Sequence, residues 1–345
     1  MKFKKLILLA SCAFMLLGCN QGDNGGGDPP PVENVTWAFE LNEDHESYIV
    51  AIESINATKL FDMVVPSEHE GKPVTTVGYS NRYWIYGYPG REYVKSITFP
   101  DSITSLNGNG LLKSLDNLER VVLSKNCATI PNSCFSLCPK LSEVVIPEGV
   151  TKIDQGAFNK TTALESVTFP TTLVTIKENA FTGSGINEIN WATSIKDDNK
   201  LQIERNAFKD CRNLEEVIMP NYVYCYTSSE KYFSNSWFDG CTGLKRFKMS
   251  GLVQAMSNEF APSMGTYLLE EFVIPKSVIY LGYRSLYFSS YSTSFANIKT
   301  ITFEGSKSDW LAIEKESEYL DSGEEVKSVL TKVHTLEDDQ TFSIR

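Results

Sequence analysis

Few residues of this chain have the type and spacing needed for catalysis or metal binding. Only three histidines are present, His45, His69 and His334, and they are far apart. A histidine-based triad or zinc site would need partners from distant segments, and the sequence has neither a metalloprotease helix motif nor a nucleophile elbow. We therefore interpret these histidines as solvated surface residues. The sequence predicts no catalytic residue, no metal site and no cofactor, hence no enzyme.

Two pairs of adjacent glutamates could indicate a glycosidase, because paired carboxylates act as acid and nucleophile in glycoside hydrolysis. The pairs are Glu215-Glu216 and Glu270-Glu271, and Lys245-Arg246 lies between them at matching positions of a repeat. Opposite charges that alternate across neighbouring strands stabilise a sheet modestly. We therefore predict two ladders on one face rather than an active site. The ladders are Glu215–Lys245–Glu270 and Glu216–Arg246–Glu271.

The repeat that positions these residues runs through most of the chain. Its clearest copy is Leu164 to Phe181, with apolar residues at the first, fourth, sixth, tenth and thirteenth positions, proline at the seventh, and the pair Ala180-Phe181. The first, fourth and sixth positions alternate as a short strand, and stacked copies bury one another's apolar residues. Because proline gives no amide hydrogen to a ladder, it marks where pairing stops. The copies start at Val94, Leu118, Leu141, Leu164, Ile186, Leu214, Leu244, Leu269 and Ile298.

The ends of the array carry different patterns. Residues 34–77 alternate as strands and form an N-terminal cap, because an open solenoid end is a bare strand edge. The array occupies 78–304, and 305–345 is a C-terminal cap and tail. In that cap Ser308 is predicted to begin a short helix whose Trp310 and Ile313 pack on the last coil. Val326 to Thr335 is predicted as a final strand, and Glu337 onward as a tail.

The coils, which read as Ala180-Phe181 followed by Leu-x-x-Val-x-x-Pro, resemble the BspA-type leucine-rich repeat family over roughly Val64 to Ile313. The asparagine ladder of other leucine-rich repeats is absent, because Pro170 and its equivalents take its place. We predict a repeat solenoid, a leucine-rich-repeat-like right-handed coil with a short parallel strand per coil, β-rich with irregular or short helical return limbs. The resemblance implies adhesion to host proteins or other cells.

The N-terminus predicts export and a lipid anchor. A basic start precedes an apolar run of 12 residues, Leu6 to Leu17, which is too short to span a bilayer. Leu16-Leu17-Gly18-Cys19 resembles the bacterial lipobox, so Cys19 is the expected lipidation site. The alternative Cys12 would leave too short an apolar core, and an ordinary secretory signal is the other reading. Residues 1–18 are then the signal peptide and 19–33 a flexible tether.

The expected location is the outer membrane, as a lipoprotein at the cell surface. In Bacteroidetes-type lipoproteins, which this N-terminus resembles, acidic residues after the cysteine favour outward export. Asp23 and Asp28 are a weak version of that signal, so the periplasmic face stays open. The net charge of −11 becomes −14 when residues 1–18, with three lysines and no acid, are removed. Such a charge excludes a nucleic-acid surface.

The cysteines follow the repeat rather than a disulfide framework. Cys138, Cys211 and Cys241 share one slot, three residues after the aromatic residue, and Cys127 and Cys134 occupy other apolar slots. Free cysteine behaves as a small hydrophobe in a core. Cys211 and Cys241 lie in adjacent coils, close enough for a disulfide. Both states stay open at this point, with buried free thiols preferred.

Thirteen of the 16 tyrosines fall in three segments that interrupt or extend coils, Tyr79 to Tyr93, Tyr222 to Tyr232 and Tyr280 to Tyr291. Tyr and Trp give a large, rigid contact area with a polar tip, as at binding hot spots. The alternative, which we weigh equally, is that these rings fill gaps in irregular coils. The candidate ligand-binding residues are Tyr83, Trp84, Tyr86, Tyr88, Tyr222, Tyr224, Tyr226, Tyr232, Tyr287 and Tyr291.

Taken together, these patterns predict a lipid-anchored, monomeric cell-surface protein that binds an extracellular protein or glycan without catalysis. Its solenoid would present a strand face and aromatic loops to the partner. The alternatives are a carbohydrate-binding accessory protein or glycan-active enzyme, or a structural spacer without a ligand.

Overall fold

The computed structural model describes residues 34–78, 84–85, 87–191, 201–219, 237–249, 255–256, 269–282, 285–286, 298, 300–316 and 332–344. Asn34–Arg345 form one compact unit. Within the described ranges, no helix is long and apolar enough to cross a membrane.

The N-terminal cap is a small sheet that covers the first coil. Val35–Leu41 and Tyr48–Ile55 pair antiparallel as a hairpin, and the second of these strands pairs in parallel with Lys72–Val77. A short strand, Glu68–His69, closes the outer edge. The two predicted strands of this segment are therefore present, and the turn between them begins at Asn42, whose backbone N–H donates to the carbonyl of Ser47 at 2.9 Å.

The histidines are less uniformly solvated than the sequence suggested. His45 is exposed in the cap turn, whereas His69 stacks on Phe39 with ring centroids 3.8 Å apart. His334 is half-buried, with Nδ1 3.0 Å from Thr341 Oγ1. The expectation of a solvated surface residue thus holds for His45, while His69 packs as an aromatic ring.

One side of every coil carries a strand, and these strands form what we call the first strand column. In the nine predicted coils the strand begins at the predicted coil start or two residues after it, and the apolar first position, as at Leu141 or Leu164, is buried. Neighbouring strands pair in parallel except at two places, where no ladder joins Glu143–Val145 to Ser166–Thr168 or Glu188–Asn190 to Glu216–Ile218. The strands are Phe61–Val64, Val94–Thr98, Arg120–Val122, Glu143–Val145, Ser166–Thr168, Glu188–Asn190, Glu216–Ile218, Arg246–Lys248, Glu271–Ile274, Thr300–Phe303 and Lys332–Thr335.

A second strand column follows the proline turn, where the sequence predicted only one strand per coil. The turn itself is tight: the N–H of Leu173 donates to the carbonyl of Pro170. The following strands have two residues each, too few to give a period that sequence analysis can detect. They also pair in parallel. They are Ser105–Leu106, Thr129–Ile130, Lys152–Ile153, Thr175–Ile176, Gln202–Ile203, Ala255–Met256, Tyr280–Leu281 and Glu314–Lys315.

A third set of hydrogen bonds joins the return limbs at the small–aromatic pairs. The N–H of Phe158 donates to the carbonyl of Ala180 in the next coil, and that of Phe181 to the carbonyl of Ala207, both at 2.7 Å. The residue two after the aromatic one is left-handed, with φ 59 at Lys160. This backbone bend aims each amide at the following coil, so the coils are tied together on three sides.

The phenylalanines of these pairs stack into a continuous column inside the solenoid. Their rings are fully buried, and adjacent centroids lie 5.0 to 5.5 Å apart with interplanar angles of 5 to 22°. The prediction that the small–aromatic pairs fill the coil is confirmed. The column consists of Phe135, Phe158, Phe181, Phe208 and Phe238.

The C-terminal cap contains a helix, Lys307–Ala312, that begins two residues earlier than predicted. Its N-cap is Ser306, not Ser308: Ser306 Oγ accepts the Asp309 N–H at 3.2 Å, and the Asp309 carboxylate accepts the Ser306 N–H at 2.9 Å. This reciprocal capping box satisfies two otherwise unpaired amides. Trp310 and Ile313 are buried, as predicted.

Residues beyond the helix end in a hairpin rather than in a tail. The predicted final strand is confirmed over Lys332–Thr335, and it pairs antiparallel with Gln340–Ser343. The rest of the predicted strand, 326–331, lies outside the described residues. The hairpin was missed because Gln340 to Ser343 carries a single large apolar residue, Phe342. A short 3₁₀ turn, Arg91–Tyr93, completes the elements.

The capping box predicts an acid-sensitive cap. Hydrogen bonds from Ser306 and the nearby Lys276 ammonium lower the pKa of Asp309 to about 2, from 3.8. Because the folded pKa is depressed, the stabilisation is fully present above about pH 4 and is lost as the pH falls through about 2. Asp309→Asn should lower the melting temperature more at pH 7 than at pH 2, where about half of the Asp309 carboxyls are protonated. Equal losses at both pH values, measured by circular dichroism, would contradict this linkage.

Candidate functional site

The outward side of the first strand column is a charged surface. Cross-strand ion pairs join Arg120 to Glu143 at 2.9 Å and Arg246 to Glu216 at 3.0 Å, and a looser pair joins Lys245 to Glu215 at 3.9 Å. Arg246 is in register with Glu216 on one side and Glu271 on the other. The predicted register of the ladders is therefore confirmed. Lys245 and Arg246 form their ion pairs with the preceding strand, at Glu215 and Glu216.

A groove of about 1090 Å³ crosses this surface, and we call it the strand-face groove. It spans one of the two interruptions of parallel pairing, since no ladder joins the described strands Glu188–Asn190 and Glu216–Ile218. The preceding coil interval lengthens there to 28 residues. Its lining includes the carboxylates Glu165, Glu188, Glu215, Glu216 and Glu270, the amides Asn187, Asn190 and Asn213, and the cations Arg212, Lys245 and Arg246.

The charges of the groove are compensated in part. Lys245 and Arg246 pair with Glu215 and Glu216, as described above. Arg212 also lines the groove, and the carboxylate that it pairs with, Asp210 at 3.5 Å, lies outside the lining. Among the residues that the structure describes, the lining carboxylates Glu165, Glu188 and Glu270 take part in no ion pair. Within those residues, the half of the groove that Glu165 and Glu188 line therefore carries two carboxylates without a paired cation.

The groove is wide and polar, with one apolar edge. The N–H of Asn187 donates to the carbonyl of Glu165 at 2.8 Å, which holds the two outward side chains on neighbouring strands. The Asn213 amide reaches across to the carbonyl of Gly185 at 3.4 Å. Ile218, 53% exposed, adds an aliphatic contact. This arrangement offers many hydrogen-bond acceptors to a ligand.

One half of this surface was predicted from the sequence, and the other half was not. Sequence analysis identified the Glu215–Lys245 and Glu216–Arg246 pairs from their matching repeat positions. In the coils starting at Leu164 and Ile186, the second and third positions hold glutamate, serine or asparagine and no cation. Comparing these two positions between coils would have revealed this from the sequence. The groove spans an interruption of the ladder at which the coil interval is longer, and no motif in the sequence marks it.

Of the aromatic candidates, only two lie in the described part of the chain. Trp84 is 3% exposed and stacks against Trp37, with centroids 6.0 Å apart, so its ring belongs to the core. Tyr88 is half-buried against the same core. For Trp84 the structure fits the packing alternative. Tyr83, Tyr86, Tyr222, Tyr224, Tyr226, Tyr232, Tyr287 and Tyr291 lie outside the described residues.

The described cysteines are buried and unpaired. Cys127, Cys134, Cys138, Cys211 and Cys241 are free thiols, which confirms the preferred of the two predictions for Cys211 and Cys241. The thiols of the shared slot donate to the carbonyl of the aromatic position in the previous coil, as Cys241 does to Phe208 at 3.0 Å. Burial raises the pKa of Cys127 to about 11, that of Cys138 to about 12 and that of Cys134 well above its usual value. Cys127, Cys134 and Cys138 are therefore protonated core residues rather than nucleophiles.

Metal ligands do not converge in the described part of the chain, where no group of three or more histidine, cysteine or acidic side chains could hold an ion. Cys19 and Cys225 lie outside that part.

The fold and the repeat define a leucine-rich repeat protein. The chain belongs to the BspA type leucine rich repeat family, whose sequence model matches in six copies over residues 86–187, 139–259 and 197–293, more than half of the chain. The resemblance on which the fold was predicted is thereby confirmed. A comparison with curated proteins found no match.

Solved structures of bacterial leucine-rich repeat proteins are similar to this chain at low sequence identity. A leucine-rich repeat protein from Bacteroides ovatus ATCC 8483 is 18% identical, with a TM-score of 0.53, over 88% of this chain and 70% of that one. A leucine rich cell surface protein from Faecalibacterium prausnitzii A2-165 is 19% identical, with a TM-score of 0.40, over 84% of this chain and 99% of that one. A leucine-rich repeat protein from Eubacterium ventriosum ATCC 27560 is 18% identical, with a TM-score of 0.41, over 88% and 77%.

Proposed function

We propose that this protein is a lipid-anchored cell-surface binding or adhesion protein that recognises an extracellular protein or glycan without catalysis. The observation that carries the proposal is the strand-face groove, a large polar concavity on a surface that packs against no other described element. Ligand sites are characteristically concave, with a few convergent polar groups. Family membership supports a repeat scaffold, whose outward face is free to vary because the core residues of each coil point inward.

The proposed function is tested by binding of the purified full-length protein in detergent to a panel of extracellular-matrix proteins and glycans. Saturable binding to at least one of them is expected. A panel without a specific ligand would contradict the proposal and favour the spacer alternative. Hydrolysis of a panel glycan that one carboxylate substitution abolishes would favour the enzyme alternative.

The anchor is tested by Cys19→Ser, expressed in a bacterium that processes lipoproteins. Lipidation of the cysteine with several acyl chains gives a durable anchor. We expect the wild-type protein in the membrane fraction and Cys19→Ser almost entirely released from it, with loss of incorporated labelled fatty acid. Cys12→Ser is the matched control, because it removes the other cysteine that fits the lipobox letters. If the Cys12→Ser protein were released from the membrane fraction instead, Cys12 would be the lipidation site. If both variants stayed in the membrane fraction, the proposed lipid anchor would be refuted.

Orientation is a separate measurement. A membrane-impermeant amine reagent applied to intact cells should label the wild-type protein if it faces outward. Labelling only after the outer membrane is opened would place it in the periplasm.

A further inference from the structure

The strand-face groove has the size and position for an extended chain that crosses several coils. Its lining runs from Glu165 in one coil to Glu270 four coils later. At about 4.8 Å between strands and 3.3 Å per extended residue, this span corresponds to roughly six residues of an extended peptide. A single ion or small molecule would leave most of the 1090 Å³ empty.

The charges of the groove favour an occupant with positive charge. Several acids of the strand face are neutralised across strands, as with Arg120 and Glu143 or Arg246 and Glu216. Glu165 and Glu188 are not, because on the face the neighbours that the structure gives them are Asn187 and Ser166, which carry no charge. Two unneutralised carboxylates in a concavity attract cations and repel acidic chains.

The other lining groups fit a polypeptide better than a sugar. The amides of Asn187, Asn190 and Asn213 can both donate to and accept from a peptide backbone. Ile218, half exposed at the groove edge, gives an aliphatic contact for a side-chain stem such as that of lysine. The lining within the described residues includes no aromatic ring on which a sugar could stack.

We propose that the strand-face groove binds an extended, lysine- or arginine-bearing segment of a partner protein, with Glu165 and Glu188 as the residues that select positive charge. This inference rests on the proposed binding function and names the chemistry of the partner. Lys245 and Arg246 hold Glu215 and Glu216 within the face, so the selectivity is concentrated in the coils that start at Leu164 and Ile186.

The test uses the full-length protein in detergent and a fluorescent hexapeptide that alternates lysine and glycine. A hexapeptide that alternates glutamate and glycine is the matched probe of opposite charge. We expect the wild-type protein to bind the basic peptide alone, with binding that weakens as salt screens the charges. Glu165→Gln/Glu188→Gln should raise the dissociation constant about tenfold or more.

The control for net charge is Glu43→Gln/Glu46→Gln, which removes two exposed carboxylates from the N-terminal cap and not from the groove. It should bind the basic peptide as the wild type does. Unchanged thermal unfolding of both double variants shows that the fold is intact.

Failure of this inference is distinct from failure of the proposed function. Equal peptide affinity of the wild type and Glu165→Gln/Glu188→Gln, or no peptide binding by the wild type, overturns the basic-segment assignment even when the panel yields a partner. A panel glycan whose binding is lost in that variant also overturns it, because the groove would then be a sugar site. If the wild-type protein binds no protein or glycan of the panel, the proposed binding function itself is overturned.

Discussion

Phe181→Ala is expected to lower the free energy of unfolding by roughly 3–5 kcal/mol, the cost of truncating a fully buried phenylalanine. The Phe181 ring lies between Phe158 and Phe208, at centroid distances of 5.0 and 5.2 Å and interplanar angles of 5°. Phe169 closes the site edge-on at 5.8 Å. Truncation therefore opens a cavity between two rings that hydrogen-bonded coils hold apart, and the coils cannot close it independently.

The matched control is Phe181→Leu. The same slot holds Leu112 in an earlier coil, so leucine is compatible with the local backbone. We expect a loss of about 1 kcal/mol for leucine, with the shape mismatch as its main source. Denaturant unfolding followed by circular dichroism would measure both variants. A Phe181→Ala protein as stable as Phe181→Leu would show that the ring column contributes little.

The fold was predictable because its information is repeated. A proline, an apolar alternation or an Ala-Phe pair in one coil is a weak signal by itself. Recurrence of such features in the same order over nine coils specifies the stacking and the inward face. The second strand column was not predictable, because strands such as Thr175–Ile176 are two residues long and leave no period. The left-handed residue at Lys160 was equally hidden, since lysine gives no signal for that conformation.

The candidate site was predictable only in part because it consists of departures from the repeat. Glu215 and Lys245 could be matched across coils, since ladder positions follow from the period. The groove spans instead an interruption of pairing after Asn190, and that interruption is a property of the backbone rather than of a motif. Trp84 illustrates the alternative that was weighed beside binding, because a large aromatic residue in an irregular segment serves packing as readily as binding.

Core and surface are therefore separable in this chain. Buried columns such as the phenylalanine rings set stability, and substitutions there should change binding only through unfolding. Outward residues such as Glu165 and Glu188 contribute no packing and can change partner choice at little cost in stability. This separation explains why repeat membership defines the architecture while leaving the ligand to a few exposed positions.

Gly185→Ala tests how closely the coils approach each other. A Cβ at Gly185 would lie 2.1 Å from the carbonyl oxygen of Thr162 in the previous coil, well inside contact distance, and 3.4 Å from that of Leu164. Ile186 follows Phe181 by five positions in this coil, whereas Leu164 follows Phe158 by six in the previous coil. Because the obstructing atom is backbone, we expect a loss of roughly 3 kcal/mol.

Gly183→Ala separates this clash from the general effect of adding a side chain. Gly183 has φ 67, and a Cβ there would meet only the Lys160 side chain, at 3.5 Å. The equivalent slot of the previous coil holds Lys160 itself at φ 59, so the backbone accepts a side chain there. We expect a loss of about 1 kcal/mol, the cost of a left-handed non-glycine residue. Equal losses in the two variants would mean that the shortened turn relaxes, and that coil spacing at the edge of the groove is adjustable rather than fixed.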